Sequence, residues 1–170
     1  TEQINHIPVV PLRGLTVFPG MAVHFDVIRM KSIEGIQQAM LAGQKVFLIR
    51  QKDEKVEEPD KDALCHGGVL AEIRQVVRVP QKGIRVMVYG EKRAILREFR
   101  EANGFWEGDI SIYPEKCPDL PEGVTLEGMK KVLTDALKQY AIRTKRVPEG
   151  VIQDILKIDD VYTMAAEAAA

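Results

Sequence analysis

Serine, cysteine and histidine, the residues that most often act as nucleophiles, general bases or zinc ligands, are few in these 170 residues, and their contexts argue against catalysis. Serine occurs at Ser32 and Ser111. Ser32 stands where a helix needs an N-cap oxygen, and Ser111 falls inside a strand pattern; neither has the G-x-S-x-G setting of a nucleophile elbow. His6, His24 and His66 are scattered and read as surface or strand histidines rather than bases. Cys65 and Cys117 have no second Cys or His at zinc-site spacing, so they read as two buried thiols in a reducing compartment. Cys65 and His66 are adjacent, but neighbours on a strand face opposite ways, which separates thiol from imidazole. No G-x-x-x-x-G-K-[ST] run exists to cradle phosphates. The sequence therefore predicts no catalytic residue, no metal site and no bound cofactor.

Binding chemistry is better represented. Arg74, Arg78, Lys82, Arg85, Lys92, Arg93, Arg97 and Arg100 fall on successive strands and turns, and with Tyr89 for stacking they could present a basic face to RNA or DNA. Against this, Glu72, Glu91, Glu98 and Glu101 interleave with them, and 24 basic against 25 acidic residues leave a net charge of −1. Such a chain lacks the excess charge that counterion release exploits. More informative are apolar residues placed where the pattern predicts exposure. Val76, Met87 and Tyr89 read as the outer face of their strands, and Val17, Phe18, Pro19 and Met21 occupy or flank a breaker-rich loop. Methionine adapts to varied partners, and exposed apolar patches mark interaction sites.

The elements that position these residues are short and well punctuated. Ile7 to Leu12 and Met21 to Ile28 read as strands, joined by a loop holding Gly14, Pro19 and Gly20. Ser32 to Ala42 reads as an amphipathic helix with Ser32 as N-cap and Gly43 as stop, and Val46 to Ile49 as the next strand. Lys52 to Asp62 is nearly all charge and reads as a solvated, mobile loop. Ala71, Ile73, Val77 and Val79 alternate with Glu72, Arg74 and Arg78 as one inward face. After a turn at Pro80 to Gly83, Ile84, Val86 and Val88 return as its partner, leaving Arg85, Met87 and Tyr89 outward. Gly90 permits a bend or bulge before a strand at Ala94 to Phe99, and Asn103-Gly104 signals a hairpin into Phe105 to Tyr113.

Three prolines between Pro114 and Pro121 set a boundary. The reading is a β-rich domain over 1–113, a Pro-rich linker over 114–123 and a helical part over 124–170. In the last, Leu126, Met129, Val132, Leu133, Ala136, Leu137 and Tyr140 form an apolar stripe on a helix to about Arg146. A second helix follows Pro148, and Asp159 or Asp160 caps a third. Its alanine-rich end buries little and reads as the middle of a longer element or an altered terminus. The fold class is α+β. No apolar run approaches the roughly 20 residues that span a bilayer, and Thr1-Glu2-Gln3 is unlike a signal peptide, so a cytoplasmic location is expected.

Taken in order, these segments resemble the N-terminal domain of the ATP-dependent Lon protease. The resemblance covers nearly the whole chain and rests on Ile7-Pro8-Val9-Val10-Pro11-Leu12-Arg13-Gly14 with Val17-Phe18-Pro19. Val27 and Arg29 ahead of Lys31-Ser32-Ile33, the run Val86-Met87-Val88-Tyr89-Gly90-Glu91-Lys92-Arg93-Ala94, and Ile158-Asp159-Asp160 add to it. Ile28, Gly68, Tyr89 and Gln81-Lys82-Gly83 depart from the usual residues. The likeness implies a β-rich barrel or sheet like the pseudouridine-synthase-and-archaeosine-transglycosylase (PUA) module, with one internal helix, followed by a helical bundle. It implies a non-catalytic module that engages unfolded or damaged proteins and helps assemble a hexamer. ATP, Mg and the Ser-Lys peptidase chemistry would belong to other modules of the parent. On this reading Phe18, Pro19, Met21, Met87 and Tyr89 contact the client, and Arg85 supplies a polar rim.

Overall fold

The computed structural model describes residues 2–114, 120–144 and 148–169. The chain divides into two compact units, Thr1–Pro114 and Glu115–Ala170. Cys117 lies outside the described residues.

The first unit holds β1 (Gln3–Leu12), β2 (Ala22–Val27), α1 (Met30–Leu41), β3 (Lys45–Gln51), β4 (Leu64–Val79), β5 (Gly83–Ala102) and β6 (Phe105–Ile112). These strands form one mixed sheet in the order β2-β5-β4-β3-β1-β6, and β5 pairs again with β6. Strands β5, β4, β3, β1 and β6 thus make a closed circuit, while β2 lies against the first half of β5 and pairs only with it. The Asn103-Gly104 hairpin joins β5 to β6, both residues at the positive φ a two-residue turn of this kind needs, 54° and 82°.

Closing the circuit gives β3 two covered faces. Val46 and Leu48 join one apolar cluster with Val10, Ile36, Ala71 and Val88. Phe47 and Ile49 join a second with Val9, Leu70, Leu96 and Trp106. The unbroken apolar run of β3 is what double burial demands. Helix α1 packs against β1, β3 and β6 and contributes Ile36 and Ala39 to the first cluster.

Several local expectations are corrected. Strand β5 is one element rather than two; the bend near Gly90 is a bulge, since Leu70 pairs with Lys92 but Ala71 with Gly90. A second bulge falls in β4, where Ile73 pairs with Val88 and Gln75 with Met87. The extra residue reverses the inward and outward alternation beyond it. Val76 therefore packs against the first core, and Val77 stands outward, 47% exposed, the opposite of the uninterrupted pattern. Ser32 is not the N-cap: α1 starts at Met30 with Arg29 as the flanking residue, and the Ile33 N–H donates to Arg29 O at 2.9 Å. The charged 52–62 segment is fastened rather than free. Gln51 Nε2 donates to Asp53 O and Val56 O at 2.7 and 2.6 Å, and Pro59 is buried. Cys65 is a free, half-buried thiol at the edge of the second core, with His66 exposed.

The second unit holds α2 (Leu126–Thr144), α3 (Glu149–Leu156) and α4 (Val161–Ala169), each packed on the other two. Thr125 Oγ1 accepts from the Gly128 N–H at 3.0 Å, and Asp160 Oδ2 accepts from the Thr163 N–H at 2.8 Å, capping α2 and α4. The α2 stripe is only partly used: Leu137 is buried, whereas Val132 and Tyr140 are exposed. The alanine-rich helix contributes more than its composition suggests, with Met164 and Ala166 buried. Among the described residues no helix is long and apolar enough to cross a membrane.

Candidate functional site

The outward faces of β2, the first half of β5 and the end of β4 carry most of the residues singled out from sequence. Antiparallel pairing sets Tyr89 beside Ala22, Met87 beside His24 and Arg85 beside Asp26. On the other side of β5, Tyr89 lies beside Glu72, Met87 beside Gln75 and Arg85 beside Val77. Arg85, Met87 and Tyr89 are thus in line on one face, as alternation requires, while Ile84, Val86 and Val88 are buried beneath.

The Phe18–Met21 loop is bound to the end of this line by the backbone of Gly90. Gly20 N–H donates to Gly90 O and Gly90 N–H donates to Met21 O, each at 2.9 Å. A Cβ on Gly90 would stand 2.3 Å from Phe18 O, so this approach requires glycine. Within the loop, the Met21 N–H donates to Phe18 O at 3.2 Å and the Phe18 N–H donates to Met21 Sδ at 3.3 Å. Phe18 and Pro19 are half-buried. Met21 packs inward against the first core, and Val17 is part of that core, so these two side chains shape the loop rather than its surface.

Next to Met87 lies a depression of about 510 Å³ lined by His24, Asp26, Gln75, Val77, Arg85 and Met87. Its charges are internally compensated. Arg85 Nε and Nη2 donate to Asp26 Oδ1 and Oδ2 at 2.7 and 3.0 Å. That two-point contact holds the Asp26 carboxyl below its ordinary range and raises Arg85. Arg74 pairs with Glu72 at 3.0 Å and its guanidinium lies 5.2 Å from the centre of the Tyr89 ring. What remains open is a Met and Tyr surface with Val77 beside it, rimmed by neutral ion pairs.

From sequence His24 reads only as a surface or strand histidine and Val77 as inward, and Asp26 and Gln75 carry no signal, so none of the four is placed on this face. Asp26 is legible as a cross-strand partner for Arg85 once the register of β2 on β5 is known. Gln75 and Val77 are hidden by the bulge, which no local signal marks.

Half of the basic face is paired with carboxylates, while Arg97 donates to Ser111 Oγ at 3.0 Å and Arg78, Lys82 and Arg93 form no ion pair among the described residues. Arg74, Arg85 and Lys92 pair with Glu72, Asp26 and Glu2. Arg100 is the most engaged. Its Nε donates to Glu107 at 2.7 Å and its Nη1 and Nη2 to Asp109 at 3.0 and 2.9 Å, while the His6 N–H donates to Asp109 at 2.9 Å. The Arg100 guanidinium, then the His6 N–H, lower the Asp109 carboxyl from 3.8 to about 2. Burial pushes Glu107 up, but hydrogen bonds from His6 and Arg100 outweigh it and leave the carboxyl lowered. Among the described residues no group of three or more His, Cys, Asp or Glu side chains could hold a metal ion.

A closed mixed sheet carrying one helix, followed by a unit of packed helices, defines a class of fold seen in two solved structures. These are the N-terminal domain of the Mycobacterium avium complex Lon protease (TM-score 0.53, 17% identity, covering 99% of this chain and 98% of that one) and a Lon N-terminal domain protein from Xanthomonas campestris (TM-score 0.55, 14% identity, covering 95% of each). The chain belongs to the ATP-dependent protease La (LON) substrate-binding domain family, whose model matches residues 6–170. It is 36% identical over 156 residues to the Lon protease of Clostridium acetobutylicum, covering 92% of this chain and 20% of that protein. Lon protease 1 of Bacillus subtilis is 33% identical over 164 residues, covering 96% of this chain and 21% of that protein. The chain thus spans about a fifth of the curated relatives it matches.

Proposed function

We propose that this chain is the substrate-recognition and assembly module of an ATP-dependent Ser-Lys protease, and that it binds unfolded or damaged polypeptides through the outward β2–β5–β4 face. The observation that carries the reading is the line of Met87 and Tyr89 with Val77 beside it, apolar side chains turned away from two well-filled cores and bordered by compensated ion pairs. An unfolded client exposes apolar side chains that a folded protein hides, and an adaptable Met and Tyr surface discriminates between the two. Phe18 and Pro19 extend that surface at the Gly90 end, Met21 holds their loop, and Arg85 with Asp26 forms the rim. The closed circuit of strands is read as PUA-like and the second unit as its helical companion. ATP, Mg and peptide-bond cleavage belong to other modules of the parent protein, and residues 114–123 serve as the linker between the two parts described here.

Affinity for one copy is weak, because a disordered client loses entropy on binding; several copies in a hexamer compensate through effective concentration. The test is binding of reduced, carboxymethylated lactalbumin to the intact chain and to Met87→Ser and Tyr89→Ser. Each outward-facing change should lower affinity about threefold to tenfold while leaving the thermal transition in place. Unchanged affinity in both folded variants would remove this face from the account.

A further inference from the structure

A second pocket, of about 300 Å³, opens where the ends of β1 and β2 meet the N-terminus of α1. Its walls are partly apolar, with Leu12, Leu15 and Val27, and partly cationic, with Arg13 and Arg29. Two cations, a helix N-terminus and a buried hydroxyl converge on it. Arg29 is half-buried, and its guanidinium hydrogen-bonds to neutral acceptors only, Gln51 Oε1 at 3.0 Å, Glu57 O at 3.3 Å and Pro11 O, while the Glu57 and Glu58 carboxylates act on it through space without contact. Its remaining face lies 5.1 Å from the Trp106 ring centre. Arg13 is close enough to bear against that charge and is itself paired with the exposed Glu57 at 3.1 Å. The first N–H groups of the twelve-residue α1 point out of the helix without intrahelical acceptors, at the positive end of its dipole. Ser32, 1% exposed, lines the same pocket, and its hydroxyl has no hydrogen-bond partner among the described residues. Asp26 at the mouth is neutralised by Arg85.

A buried hydroxyl with no partner is costly unless something completes it, and a half-buried guanidinium hydrogen-bonded only to neutral oxygens still favours a carboxylate within reach. We propose that this pocket receives the C-terminal carboxylate of a bound polypeptide. The carboxylate accepts hydrogen bonds from the α1 N-terminus and Ser32 within the field of Arg29 and Arg13, and the last side chain of the peptide, an apolar one, lies against Leu12, Leu15 and Val27. The inference rests on the reading that the chain binds polypeptides, but it concerns a separate pocket, which shares only Phe25 and Asp26 with the outer depression, and fails separately.

The test uses a fluorescent ten-residue peptide ending in leucine, as the free acid and as the C-terminal amide, with the intact chain and Ser32→Ala. The free acid should bind the intact chain roughly tenfold more tightly than the amide. Ser32→Ala should reduce that preference at least about threefold while holding or raising the melting temperature, because it removes a buried hydroxyl that lacks a partner. Equal binding of acid and amide overturns the proposal, as does a preference that Ser32→Ala leaves unchanged. If acid and amide bind equally while Met87→Ser still weakens binding of denatured lactalbumin, the carboxylate pocket falls and the outer face stands; the reverse pattern sinks the outer face alone.

Discussion

Gly90 is the residue on which the geometry of the outer face turns. It lies between the end of the Met87-Tyr89 line and the bulge of β5, and its missing side chain lets the Phe18 carbonyl approach. Gly90→Ala should cost about 1–3 kcal/mol in urea denaturation, since the clash is with backbone that cannot rotate away. The sequence marks Gly90 as a bend, but the partner that requires glycine, a loop some seventy residues earlier, leaves no trace in the local pattern. Asp109 makes the second case at this scale. Its carboxyl is lowered from 3.8 to about 2 by Arg100 and His6, so the stability this contributes is present above the unfolded value and lost as pH falls through the folded one. The melting temperature should therefore decline between about pH 4 and pH 2, and Asp109→Asn should flatten part of that decline. Arg100 is legible as a basic residue on a strand; that it answers carboxylates on β6 emerges only with the β5–β6 register.

Elements that follow one period were legible, and those interrupted by an inserted residue were not. The alternation of Ile84, Val86 and Val88 against Arg85, Met87 and Tyr89 survives intact because nothing disturbs β5 there. In β4 the bulge between Ile73 and Gln75 exchanges the fates of Val76 and Val77. Val76→Ala should therefore destabilise by about 1 kcal/mol and Val77→Ala by less than about 0.5 kcal/mol in chemical denaturation. Equal effects would place the chain in the unbulged register. The start of α1 fails for a related reason: Ser32 has the side chain of a cap, but an extended Arg29, anchored on Pro11, Gln51 and Glu57, begins the helix earlier and leaves Ser32 inside the first turn. Here long-range bonds outrank a local preference.

At the scale of the whole molecule, a net charge of −1 and the pairing of half the basic face favour an apolar mode of recognition. With Arg74, Arg85, Lys92 and Arg100 each held by a carboxylate, binding of a denatured client should change less than about threefold between 50 and 200 mM salt. A nucleic-acid ligand contacting several phosphates would lose about a thousandfold or more over that range. The most direct test of the central claim is residue-resolved NMR of the isotope-labelled chain during titration with carboxymethylated lactalbumin. Shifts should concentrate at 18–26, 74–77 and 85–90 and be strongest at Met87 and Tyr89. Perturbations confined to α2, α3 and α4, with the β2–β5–β4 face silent, would contradict it.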